Sequence, residues 1–454
     1  MKPMIVCLAI LGLLCFAGCG TTSQADEQTM EGMLRQYVEA RGDQAGIVAG
    51  IIDEKQSRVV CDGKTGLTAD QRVDGDTVFE IGSVTKVFTS LLLADMVEKG
   101  DVKLDDPISK FLPATVKSPT RDGKEITLVD LATHMSGLPR IPDNLKPKDM
   151  HNPYADYTVQ QMYDFLSGYT LPRDIGSKYE YSNFGVGLLG HVLELKGGAS
   201  LESLVTQRIC KPLGMNSTCV ALSDEMKSQF AAGHDEKGAA VEHWDVPTLE
   251  GCGALRSTAN DLLKFVAANM GLVKCDLASA MELEQTPRQV ADIPNTQIGL
   301  AWQITKVGNS EFIWHNGGTY GFSSFIGFDK KRQRGVVVLA NCGGHVDAIG
   351  LQLLRNSEPP RNHTAVTIDP KIYDDYAGKY QLAPGVEFTV RRDKDRLMVQ
   401  LTGQPFYEVF PESETNFFYK IVDAQLSFTR NKAGEVASLV LHQGGLDQEA
   451  TREK

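Results

Sequence analysis

Ser83 and Lys86 stand three positions apart in the run FEIGSVTKVFTSLL, where Val84, Val87, Phe88, Leu91 and Leu92 recur at the spacing of one buried helical face. Residues three apart share a face of a helix, so the hydroxyl and the amine are expected within reach of each other. A serine at a helix entry is ordinarily a cap. Such a cap ordinarily has Glu or Gln three residues later, where it satisfies free backbone N–H groups at the positive end of the helix dipole. A cation in that place suits a different chemistry. Burial and a positive helix end both favour an uncharged amine, which is a base able to activate a neighbouring hydroxyl. On this run alone, a capped helix with a solvated lysine remains an alternative.

Two further groups could work with this pair. Tyr181-Ser182-Asn183 precedes the glycine-dotted helical run FGVGLLGHVLEL. A phenol near two cations or amines ionises more easily and can serve as a base, and Asn183 could bridge the lysine and a substrate amide. By itself the tripeptide reads equally as a tyrosine packed at a helix entry. Trp314-His315-Asn316-Gly317-Gly318 ends one strand-like run and precedes another. Its glycines let a substrate backbone lie against the strand edge, and the Gly318 N–H could join that of Ser83 as an oxyanion hole. Read alone, the same residues form a plain hairpin turn.

The elements that must position these groups can be outlined from periodicity. A polar tether over 20–29 leads into a helix over 30–41, followed by strand-like runs at 46–52 and 58–61. Helical patterns begin at Ser83 and recur at 128–135, 184–196, 201–209 and 259–270. Strands return at 299–305, 311–315, 322–328 and 335–340, before a helix at 346–354. Strands at both ends with helices between them predict an α+β fold, an antiparallel sheet flanked by helices. The polar, proline-paired stretch 356–368 reads as a linker. Beyond it, over 369–454, alternating runs at 386–390, 396–401, 406–410, 417–421, 425–428 and 436–441 predict an all-β meander or small barrel of about 80 residues.

Composition narrows the partners. The 454-residue chain is 42% hydrophobic, enough for a sizeable packed core, and its formal charge of -12 argues against a nucleic-acid surface. Small molecules or peptides are the expected partners; oligomeric state is left open. Residues 1–19 combine Lys2, a short apolar run and Ala17-Gly18-Cys19, the pattern of a secretory signal. FAGC resembles a bacterial lipoprotein processing site with Cys19 as the acylated residue, which implies a lipid-anchored protein of the cell envelope. Gly20 and Thr21 offer no aspartate of the inner-membrane type, so an outer-membrane position facing the periplasm is expected. Six cysteines follow Cys19, and an oxidising compartment would permit disulfides, but 15 full pairings are possible. No C-x-x-C or H-E-x-x-H spacing occurs, so neither a metal site nor a cofactor is expected.

Taken together and in this order, S-x-x-K at Ser83, Y-S-N at Tyr181 and H-x-G at His315 resemble the serine β-lactamase and penicillin-binding protein superfamily. The likeness is to its class C-like branch of β-lactamases, D,D-peptidases, D-aminopeptidases and esterases. It spans about residues 30 to 355 and extends to LVDLATHMSGLP, GALRSTANDLLKF, GFSSFIGFD and GVVVLAN. It implies Ser83 as acylated nucleophile, Lys86 as its proton acceptor and Tyr181 as the relay to leaving group or water. Asn183, His315, Asn316 and Gly317 would contact substrate, and His134 would be a structural turn residue. Whether Lys86 or Tyr181 is the principal base stays open. One departure matters: many members carry Lys-Thr-Gly where this chain has His315-Asn316-Gly317. The fixed cation that grips a β-lactam or C-terminal carboxylate is therefore missing. H-x-G is the form of the D-aminopeptidase and esterase-like members, and the terminal meander resembles the lipocalin-like domains appended to them. The resemblance thus favours a peptidase, amidase or esterase. A β-lactamase proper, a penicillin sensor without turnover and a ligand-binding module are the alternatives.

Overall fold

The computed structural model describes residues 21–68, 70–307, 310–355, 365–383, 385–402, 406–419, 424–443 and 446–453, with side chains from Met30 onward. Cys19, the signal region and most of the linker lie outside them. Within the first unit an eight-stranded antiparallel sheet forms the centre. Its strands are β1 (Gly46–Asp53), β2 (Ser57–Gly63), β3 (Gln289–Val290), β4 (Thr296–Ile298), β5 (Gln303–Val307), β6 (Ser310–Gly318), β7 (Ser323–Asp329) and β8 (Arg334–Ala340). Their spatial order is β2-β1-β8-β7-β6-β5-β4-β3, so the two N-terminal strands pair with the last strand of the C-terminal group.

Alternation along the strands gives the sheet two apolar faces. Ile47, Ala49, Ile51, Phe325, Val336 and Val338 pack with Met30, Leu34 and Leu354, which lie on α1 (Thr21–Arg41) and the helix Asp347–Arg355. Val48, Ile326, Phe328, Val337 and Leu339 point the other way into the larger core with the central helices. Each such side chain taken fully out of water contributes about 1.5–3 kcal/mol before entropy is counted, so the parity of every strand is strongly specified. The central helices include α2 (Thr85–Glu98), α3 (Asn183–Gly197) and α4 (Ala259–Asn269).

Several expectations are corrected. The segment expected as a tether is helical from Thr21, continuous with the helix that follows it. The strand expected over 299–305 is broken: Ala301 has φ +63°, Gly299 N–H donates to Trp302 O, and pairing resumes only at Gln303. The helix expected at 201–209 is α-helical only over Leu201–Val205 and then widens into a π turn, Thr206–Cys210. The six described cysteines are unpaired.

The second unit is a closed barrel of eight sequential antiparallel strands from Gly378–Ala383 to Leu446–Arg452. Those first and last strands are the two that periodicity missed. They close the barrel through Tyr380 and Arg452, and the polar terminal run is a strand because it also pairs along residues 438–443. Tyr380, Phe388, Leu397, Phe417, Leu426, Phe428 and Leu439 fill the barrel, Phe428 stacking on Tyr376 at 4.1 Å. The interior is a packed core rather than a cup.

Candidate active site

The chain enters α2 through a single 3₁₀ turn, Gly82–Val84, and the helix proper starts at Thr85. Ser83 therefore makes no capping bond, and the alternative of a cap with a solvated lysine does not hold. Lys86 is fully buried. Its Nζ donates to Ser83 Oγ at 2.9 Å and to the Cys252 carbonyl at 2.7 Å. That carbonyl belongs to the turn at 250–255, which is bound to the same helix face twice more: Thr89 Oγ1 donates to Gly251 O (2.9 Å), and Leu255 N–H donates to Thr85 Oγ1 (3.1 Å). The amine is thus held on the serine from two sides.

Tyr181 completes the group. Its ring centroid lies 4.9 Å from Lys86 Nζ, 4.5 Å from the His134 ring and 6.5 Å from the His315 ring. The tyrosine is placed by the start of α3, where Ser182, the true cap, accepts from Gly185 N–H (2.8 Å) and donates to Pro139 O (2.6 Å). His134 sits in a turn at φ +60° and accepts the Ser182 N–H on Nδ1 at 3.1 Å. It is the expected turn residue, but its ring also packs on Tyr181. Asn183 donates to Tyr154 Oη at 3.2 Å, and its Oδ1 is buried with no partner among the described residues.

The Trp314–Gly318 stretch is not a turn. It is the end of β6, and the chain reverses only at Thr319, whose N–H bonds Phe322 O. Strand alternation then decides what each side chain does. His315 faces the large core side beside Lys86, with its Nδ1 2.6 Å from Asn316 O. A nitrogen facing a carbonyl must carry the proton, so the neutral ring presents Nε2 as an acceptor; that atom is buried and unpartnered. Burial, and then the nearby Lys86 charge, push His315 down to about 3. Asn316, expected to touch substrate, points through the opposite face and donates to Asp347 Oδ2 at 2.9 Å. That expectation is corrected: parity removes it from the cleft.

Gly317 and Gly318 carry the close approach. A Cβ on Gly317 would lie 2.1 Å from Ile81 O and 2.9 Å from Ser83 N. One on Gly82, whose φ is +46°, would lie 2.8 Å from Gly318 N. Only glycine permits this, and Ser324 Oγ clamps the contact by donating to Ile81 O at 2.8 Å. The amides of Ser83 and Gly318 are thereby on adjoining stretches of backbone, the arrangement an oxyanion site requires. Reading of the sequence missed Arg140, Tyr154 and the Cys252 carbonyl, which belong to no local motif. Another hydrogen-bonded chain, Ser427–His442–Asp447 (2.8 and 2.6 Å), lies on the barrel's outer face. Ser427 is mid-strand, its neighbours pairing on both sides, and so lacks the turn geometry that frees oxyanion donors.

The beta-lactamase family model matches residues 34–355, and a domain of unknown function (DUF3471) matches 362–454. The chain belongs to the beta-lactamase family, a family of serine hydrolases. Among its relatives, penicillin-binding protein 4* of Bacillus subtilis (strain 168) is 26% identical over 428 residues, covering 86% of this chain and 91% of that protein. The D-alanyl-D-alanine-carboxypeptidase/endopeptidase AmpH of Escherichia coli (strain K12) is 29% identical over 309 residues, 65% of this chain and 78% of AmpH. In fold, a solved beta-lactamase/D-alanine carboxypeptidase from Pseudomonas syringae superposes with a TM-score of 0.64 at 22% identity, over 75% of this chain and all of that one (100%).

Proposed function

We propose that this chain hydrolyses peptides containing D-amino acids, or related small amides and esters, through a covalent acyl-enzyme on Ser83. The observation that carries the reading is the buried Lys86 amine, 2.9 Å from Ser83 Oγ and beside the Tyr181 ring. Ser83 Oγ attacks the carbonyl carbon while the Lys86 amine takes its proton, and the oxyanion is held by the N–H groups of Ser83 and Gly318. Tyr181 passes a proton to the leaving group; water then attacks the ester, and the serine is regenerated. Asn183 offers its free Oδ1 to a substrate amide N–H.

The neutral, acceptor-bearing His315 supports a peptidase, amidase or esterase over a potent β-lactamase, because it supplies no charge for the anionic group of a β-lactam. The filled barrel interior argues against that unit as the ligand-binding cavity. The test is turnover of D-alanyl p-nitroanilide and p-nitrophenyl esters by the intact chain and by Ser83→Ala. Turnover by the parent and none by the variant is expected; equal turnover by both refutes the assignment, and a single stable acylation without turnover favours the sensor reading. We also propose that Cys19 is acylated and holds the protein at the bacterial outer membrane facing the periplasm. Cys19→Ser should then shift the protein from the membrane to the soluble fraction.

A further inference from the structure

The cleft has lost its cation at residue 315, yet it contains another. Arg140 is exposed, and its guanidinium carbon lies 5.0 Å from the centroid of the Tyr181 ring, which Lys86 Nζ also approaches, at 4.9 Å. Its mount is rigid. The Arg140 carbonyl accepts the N–H groups of Asn183 and Phe184 (3.0 and 3.1 Å), and the preceding Pro139 carbonyl accepts Ser182 Oγ (2.6 Å). The segment carrying the arginine is therefore bolted to the same helix start that places Tyr181 and Asn183. Among the described residues no carboxylate lies within ion-pair distance of this guanidinium, and its charge is felt at His134, Tyr154 and Cys252, all lining the site.

A cation held on an aromatic face at the mouth of a cleft, with its planar fork unpaired, is suited to bidentate capture of a carboxylate. His315 cannot do this, since its Nδ1 proton is committed to Asn316 O and its Nε2 is a lone pair. We propose that Arg140 is the specificity-determining cation of this site and binds a substrate carboxylate near the scissile bond, so that the preferred substrates are acidic peptides rather than neutral amides or esters. The proposal rests on the serine-hydrolase reading above. The carboxylate can belong either to the leaving part, as at a free peptide C-terminus, or to the acyl part.

The experiment measures how matched compounds slow the labelling of Ser83 by an uncharged fluorophosphonate probe, which reports binding whether or not a compound is turned over. One pair is N-acetyl-D-Ala-D-Ala and its C-terminal amide; the other is succinyl-D-Ala p-nitroanilide and butyryl-D-Ala p-nitroanilide. Each is tested on the full chain, on Arg140→Gln and on Arg140→Lys, with thermal unfolding as the check that the variants fold. In the parent, the carboxylate member of one pair should protect Ser83 about 10- to 100-fold better, the range of a charge-assisted hydrogen bond. Which pair does so identifies the side of the scissile bond. The preference should collapse toward unity in Arg140→Gln and survive in part in Arg140→Lys. Equal protection by both members of both pairs, or a preference untouched in Arg140→Gln, overturns the assignment to Arg140 while leaving Ser83 as nucleophile. Failure of Ser83 to label overturns the hydrolase reading and this proposal together.

Discussion

Gly317→Ala tests the placement of the oxyanion site, because it adds one methyl group at the closest backbone crossing in the cleft. The new Cβ would meet Ile81 O at 2.1 Å, Ser324 Oγ at 2.5 Å and Ser83 N at 2.9 Å. A carbon needs at least about 3 Å from such an oxygen, so either β6 or the Ile81–Ser83 turn must retreat by roughly 1 Å. Ser83 and its amide sit on that turn, and a misplacement of about 1 Å at reacting groups costs on the order of 100-fold in rate. Overpacking of a tight contact also costs about 1–3 kcal/mol of stability. Gly318→Ala is the control one residue away: the nearest heavy atom to its Cβ is Phe322 O at 3.8 Å, ordinary contact distance, and the N–H is retained. The assay is kcat/KM on a p-nitrophenyl ester, with thermal unfolding measured on both variants. Gly317→Ala should lose about 100-fold, and Gly318→Ala less than about 10-fold with a Tm near that of the parent. If both alanines act alike, or if Gly317→Ala keeps more than half its activity, the inferred crossing of β6 and the nucleophile turn is wrong.

Three other outcomes follow from burial. Glu80 accepts the Trp244 N–H at 2.8 Å, and burial pushes its carboxyl up to about 7 despite Arg256 nearby. The folded state therefore holds its proton above the ordinary 4.5, and stability falls as pH rises from there through 7, by about 3 kcal/mol. Urea titrations should show that fall weakened in Glu80→Gln. His315 has the opposite sign: depressed to about 3 from 6.5, it contributes stability that is present above 6.5 and lost as pH falls toward 3, so the drop in Tm between pH 6.5 and pH 4 should shrink in His315→Gln. In the barrel, Phe428→Ala removes a ring packed on Tyr376, Tyr380 and Phe417, and calorimetry should show a loss of about 3–5 kcal/mol in the unfolding of that unit.

Much of the site could be read locally. The Ser83–Lys86 contact survives although the helix begins two residues later than expected, because a 3₁₀ turn running into an α-helix still keeps residues three apart on one side. A strand expected over 311–315 stops short of the glycines, and the family resemblance, not strand parity, puts Asn316 in the cleft. Once β6 is seen to continue to Gly318, alternation sends Asn316 to Asp347 and His315 to Lys86. The strand expected over 299–305 is interrupted at a left-handed Ala301, which apolar composition does not reveal.

By itself the sequence determined the periodic elements, the two-unit plan, and the identity of a hydroxyl, an amine, a phenol and a glycine pair able to do acyl chemistry, since these follow from residue type and near-neighbour spacing. The tertiary structure decided which groups surround them: the Cys252 carbonyl 166 residues from Lys86, Tyr154 on Asn183, Arg140 over Tyr181, and closure of the barrel through its two terminal strands. Those contacts join segments far apart in the chain, and they exist only because burial of two sheet faces fixes strand parity and brings distant turns to one cleft.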